Sequence, residues 1–86
     1  MRIDKFLKDS RLIKRRTVAK EACDSGRVLI NDKVVKAGAE VNSGDIIEIR
    51  FAKSNLVVEV TEIIKNPKSS DVSEMYRVIS SEKSEE

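Results

Sequence analysis

The sequence predicts an α+β domain: two basic N-terminal helices packed on a small, mostly antiparallel β-sheet, then a short C-terminal helix and an acidic tail. Three observations carry this. Before Gly26 apolar residues recur at helical spacing. After Gly26 they alternate at strand spacing between turn residues. Asn66-Pro67-Lys68-Ser69-Ser70 then breaks the alternation. The expected organisation is a helix-and-sheet domain over 1–65, an extension with a short helix over 66–79, and a disordered tail over 80–86.

In the first helix Ile3, Phe6 and Leu7 share one face, and Arg2, Lys5 and Lys8 fall outside that arc. Asp4 suits the start of the helix dipole and can pair with Lys8 across one turn. So short a helix needs Phe6 buried to hold it. Ser10 to Ile13 reads as a turn, with Leu12 and Ile13 dipping into the core. The second helix is expected over about 15–25, with Val18, Ala19, Ala22 and Cys23 as a narrow stripe of small side chains. Its phase puts Arg16, Lys20 and, if extended past Gly26, Arg27 on one flank, and puts Arg15 at the helix entrance. Gly26 is the expected left-handed residue ending the helix.

Arg27 to Ile30 and Lys33 to Lys36 flank Asn31-Asp32, a hairpin turn. Ala37 to Ser43 forms a loop anchored by Val41, and Ser43-Gly44-Asp45 turns into a strand over 46–51. Lys53-Ser54-Asn55 leads to a strand over 56–64. Asp71 is placed to cap a short helix containing Val72, Met75 and Tyr76. Phe51 and Tyr76 are assigned to the core.

The 86 residues allow one domain with a modest margin of stability. Charge is divided unevenly. Residues 1–36 hold eleven Lys or Arg against five Asp or Glu, a net +6; residues 37–86 hold six against ten, a net −4, giving the chain its +2. Such asymmetry implies a basic patch for an anionic partner. A lone cysteine allows neither an internal disulfide nor a metal cluster, and it points with the lack of a signal peptide to a reducing cytoplasm. No apolar run is long enough to span a membrane, so no membrane partner is expected. There is no histidine, so Ser10, Thr17, Ser43 and Ser54 lack the usual activating base. Gly26, Gly38 and Gly44 match no phosphate-cradling loop. Cys23, on the apolar stripe, reads as packing. The chain is expected to be a binding protein and not an enzyme, without cofactor or metal, and monomeric.

The candidate site is therefore basic: Arg2, Lys5, Arg11, Lys14, Arg15, Arg16, Lys20 and Arg27, with Asp4 orienting a neighbour or accepting from a ribose 2′-hydroxyl. A charge run alone is often only a solvated face. Here the charges converge on one helix pair, and arginine, whose planar fork suits phosphate oxygens, predominates at the turn.

The series Arg2-Ile3-Asp4-Lys5-Phe6-Leu7, Arg15-Arg16-Thr17-Val18-Ala19, Gly26, Val28, Ile30-Asn31, Val41 and Gly44-Asp45-Ile46 resembles the S4 RNA-binding domain. It departs from that pattern at Asp32, where glycine is frequent, and at Arg15, where a short capping hydroxyl is usual. The small size, the turn and Met75-Tyr76 resemble a narrower stand-alone group within the family. That group includes ribosome-associated quality control proteins and the fifteen-kilodalton heat-shock protein. The resemblance implies binding to an obstructed large ribosomal subunit, with contacts to 23S ribosomal RNA and peptidyl-tRNA, in support of a partner factor that adds C-terminal alanine tails. It leaves open a heat-shock-type factor recycling large subunits that carry nascent chains, or a general ribosomal RNA-binding assembly factor.

Overall fold

The computed structural model describes residues 1–83. Two helices, α1 (Ile3–Asp9) and α2 (Arg16–Asp24), precede β1 (Val28–Ile30), β2 (Lys33–Val34), β3 (Ile46–Phe51) and β4 (Ser54–Val60). A 3₁₀ helix (Ser69–Glu74) then leads into β5 (Tyr76–Lys83). The five strands form one antiparallel sheet in the order β2-β1-β3-β4-β5. The α+β class, the helix pair and the antiparallel sheet are as expected.

The helices cover one face of the sheet because alternate strand residues point at them. Val28 and Ile30, Ile47 and Ile49, and Val58 and Val60 are buried beneath Ile3, Phe6, Leu7, Ala19 and Cys23. Burying Phe6 contributes on the order of 2 kcal/mol, which a seven-residue helix needs. Ile13 and Val41 are buried and Leu12 packs partly against the same cluster. Phe51 is 40 % exposed, contrary to the core role expected for it. It lies beyond Ile49, where β1 pairing with β3 has ended.

Three turns fix the connections. Gly26 has φ 84°, and the helix end closes twice: its N–H donates to the Cys23 carbonyl at 3.0 Å and the Arg27 N–H to the Ala22 carbonyl at 2.9 Å. The hairpin Asn31-Asp32 is left-handed at both positions, with φ 50° and 69°. The Asn31 side chain also stitches this hairpin to β3, accepting from the Ile46 N–H at 2.9 Å and donating to Asp45 Oδ1 at 3.1 Å. Asp45 Oδ2 in turn accepts from the Asn42 N–H at 2.8 Å, closing the turn that contains Gly44.

The C-terminal part differs from the sequence expectation. The short helix is a 3₁₀ turn that ends before Met75, and Met75 drops into the core. Asp71 accepts from the Lys68 N–H at 2.9 Å, so it brackets the turn from inside. Tyr76 opens a strand, and Ser80 to Lys83, expected to be a disordered tail, continue that strand along β4. The free edge of β4 offers backbone partners whatever the side chains are, so a polar sequence still pairs. The rest of the expected tail lies outside the described residues. β4 itself stops at Val60, short of the expected Ile64.

Two substitutions test the turns. Gly26→Ala forces a side chain into left-handed backbone and should cost about 1–2 kcal/mol. Asp32→Gly relaxes the hairpin and should gain roughly 0.5 kcal/mol. Urea midpoints, at unchanged slope, measure both.

Candidate nucleic-acid interface

The start of α1 is held by neighbouring backbone. Its Ile3 N–H donates to the Ala39 carbonyl at 2.8 Å and its Asp4 N–H to the Ala37 carbonyl at 3.3 Å. The Met1 ammonium pairs with Glu40 at 2.9 Å. This turns Asp4 inward, to 2 % exposure, so it cannot pair with Lys8 as expected; Lys8 and Lys5 approach Asp9 instead.

The buried carboxylate gathers basic groups. Arg2 donates from Nε to Oδ1 and from Nη2 to Oδ2, both at 3.2 Å. Arg16, at the first position of α2, approaches the same two oxygens at 3.5 Å. The Lys5 N–H completes the set, donating to Oδ1 at 2.8 Å. Both arginine side chains remain about half exposed, 52 % for Arg2 and 47 % for Arg16. Each fork is therefore fixed at its inner edge and open at its outer edge. Such burial fits the orienting role considered for Asp4 and leaves it little access to a ribose hydroxyl.

Arg15 is exposed and extended at φ −121°, ψ 135°, and caps α2 without a side-chain hydrogen bond, as its position at the helix entrance predicts. Lys14, Arg15 and Lys20 are exposed and hold no ion pair among the described residues. Arg11 has left-handed backbone, φ 63°, and its guanidinium donates to Ser69 Oγ at 2.7 Å, tying the interhelix turn to the 3₁₀ helix. Arg27 is not on the flank of Arg16 and Lys20. The left-handed Gly26 breaks the helical phase, and Arg27 shares a depression with Val18, Glu21 and Ala22. Val18, expected in the apolar stripe, is exposed, leaving Ala19 and Cys23 as the buried pair.

The arrangement brings Arg2, Asp4, Lys5 and Arg16 together, extends them through Lys14, Arg15 and Lys20, and sets Arg27 apart. Sequence reasoning missed Lys65 and Asn66, which fold back beside Arg2 and Lys5. The sequence offered little signal for them, since Lys65 is one of six cations spread through the acidic half. No helix among the described residues is long and apolar enough to cross a membrane.

The S4 domain model matches residues 1–47, the stretch that builds both helices, the hairpin and the start of β3. The chain belongs to the S4 domain family. Its likeness to known proteins extends beyond that stretch. It is 49 % identical over 78 residues to the RQC P-site tRNA stabilizing factor of Halalkalibacterium halodurans, covering 91 % of this chain and 89 % of that one. It is 46 % identical over 83 residues to the factor of the same name from Bacillus subtilis, covering 96 % of each. The trimeric structure of Vibrio cholerae Heat Shock Protein 15 superposes with a TM-score of 0.83 at 24 % identity, over 92 % of this chain and 81 % of that one. The latter shows a shared fold, including the C-terminal region beyond the S4 match.

Two measurements test the buried groups. Asp4→Ala strips the Lys5 N–H and two guanidiniums of their acceptor, and should lower stability by about 1–3 kcal/mol. Burial first, then the charges of Asp4 and Asp24, push the Cys23 thiol up to about 11. The thiol is thus held protonated in the folded chain while an unfolded chain loses the proton near pH ~8.5. Stability from this group is complete below that pH and falls as pH rises toward 11. Urea midpoints should decline across that window in the native chain and less in Cys23→Ala.

Proposed function

We propose that this protein binds structured RNA through the surface around Arg2, Lys5, Lys14, Arg15, Arg16 and Lys20, and acts in ribosome-associated quality control by stabilising tRNA in the P site. The observation that carries the proposal is the Arg2–Asp4–Arg16 cluster, in which one buried carboxylate presents two guanidinium forks at the junction of the helices. Preoriented forks lose less freedom on meeting phosphate oxygens than free side chains do. The names of full-length relatives supply the biological setting.

On this reading the RNA partners are 23S ribosomal RNA of an obstructed large subunit and its peptidyl-tRNA. Holding that tRNA supports a separate factor that adds C-terminal alanine. The protein acts in the cytoplasm as a binding factor and catalyses nothing itself. The chemistry of the chain supports this last point: it has no histidine, and Cys23 is buried with a raised pKa. A-form helices hide their major groove, so recognition rests on backbone and shape.

A second reading, recycling of large subunits carrying nascent chains, draws on the fold shared with the Vibrio cholerae heat-shock protein. Sedimentation of tagged protein separates the two. The favoured reading expects association with free large subunits bearing peptidyl-tRNA, lost after puromycin, together with loss of alanine tails in cells lacking the protein. Tails that persist without it favour recycling.

Neutralising about six phosphates should give a log–log salt slope of roughly five, by analogy with duplex DNA. Filter binding to a ribosomal RNA hairpin across a salt series reads it, and a flat response would sink the proposal. In the same assay Arg16→Ala should weaken binding by about 1 kcal/mol, because its fork is already positioned and half exposed.

A further inference from the structure

One depression at the edge of the interface adds apolar side chains and an amide to the Arg2 and Lys5 that it shares with the phosphate-binding surface. It encloses about 250 Å³ and is lined by Met1, Arg2, Lys5, Ile63, Lys65 and Asn66. Met1 and Ile63, both packed against the core, make its floor apolar. Every ionisable side chain in its lining is cationic. Arg2 and Lys5 are steadied from beneath by Asp4 and Asp9, while Lys65 holds no ion pair among the described residues. Asn66 stands at φ 49°, exposed, and its amide forms no hydrogen bond among the described residues. It is therefore free to give one donor and one acceptor to a ligand edge.

We infer that this depression takes a single base extruded from an RNA strand, its phosphate held by Lys65 and Lys5. A base needs the surfaces found here: an apolar floor for its ring, a planar cation such as the Arg2 guanidinium to lie against, and an amide to pair with its edge. Positive charge on the rim matches the flanking phosphates, with no carboxylate in the lining to repel them. Sites that enclose drug-sized ligands run to roughly 300–1,000 Å³, so this one suits a fragment the size of a base. The inference rests on the RNA-binding reading and adds to it. The helix surface grips backbone, and the depression selects RNA that has an unpaired nucleotide within reach of α1.

The test compares two labelled RNA stems by fluorescence anisotropy with the full chain: one fully paired, one carrying a single unpaired adenosine. The native protein should prefer the bulged stem by about tenfold. Asn66→Gly, which keeps the left-handed backbone at this position while removing the amide, and Lys65→Glu, each checked for an unchanged urea midpoint, should bring that ratio close to one. Arg16→Ala should weaken binding to both stems and keep the ratio. Equal, salt-dependent affinity of the native chain for both stems overturns the pocket and leaves the helix interface standing. So does a preference that survives both pocket substitutions, since the bulge then acts only by making the stem pliable. Failure to bind either stem removes both readings.

Discussion

The Asp4 carboxylate lies where α1 and α2 meet, and it receives N–H groups from Arg2, Lys5 and Arg16. A carboxylate this buried is tolerable only when its oxygens are satisfied, so its position dictates where those partners stand. Its own position is set by backbone: the Ala37 and Ala39 carbonyls seat the first residues of α1, and the Met1–Glu40 pair fastens the chain before them. The loop before β3 therefore supports the interface without contributing a cation to it. Each Arg–Asp contact is worth little by itself, because the guanidiniums are half in water. Their value lies in orientation.

Retaining a basic surface on so small a protein requires that its own acids be engaged elsewhere. Glu48 is taken by Arg50 and Asn55, which hold its carboxyl below the usual range, Arg50 contributing most. Glu59 pairs with Arg77, and Asp45 is committed to Asn31 and Asn42. These acids lie on the sheet and its turns, and their partners are local. The acidic half thus leaves Lys14, Arg15 and Lys20 uncompensated, although the chain is near neutral as a whole. A charge asymmetry in sequence became one in space because the helices come from one half and most of the sheet from the other.

Much of this was legible in the sequence. The apolar spacing of Ile3, Phe6 and Leu7 located the buried face of α1, and Gly26 was recognisable as the only residue suited to the left-handed end of α2. Asn31-Asp32 marked the hairpin, and Arg15 fell at the helix entrance because its phase allowed nothing else. These features depend on local geometry, in which backbone sterics and helical period decide the outcome within a few residues.

What the sequence alone could not decide depended on distant neighbours. Ser80 to Lys83 carry no strand pattern, and pair because β4 leaves an edge open beside them. Arg27 leaves the flank of Arg16 because the turn at Gly26 resets its direction. Lys65 and Asn66 reach Arg2 and Lys5 only once the chain has crossed the sheet and returned. The sequence by itself determined the basic helix pair, its turns and its family. Tertiary structure alone decided which cations share an acceptor, which stand free and what surrounds them, since those relations join residues far apart in the chain.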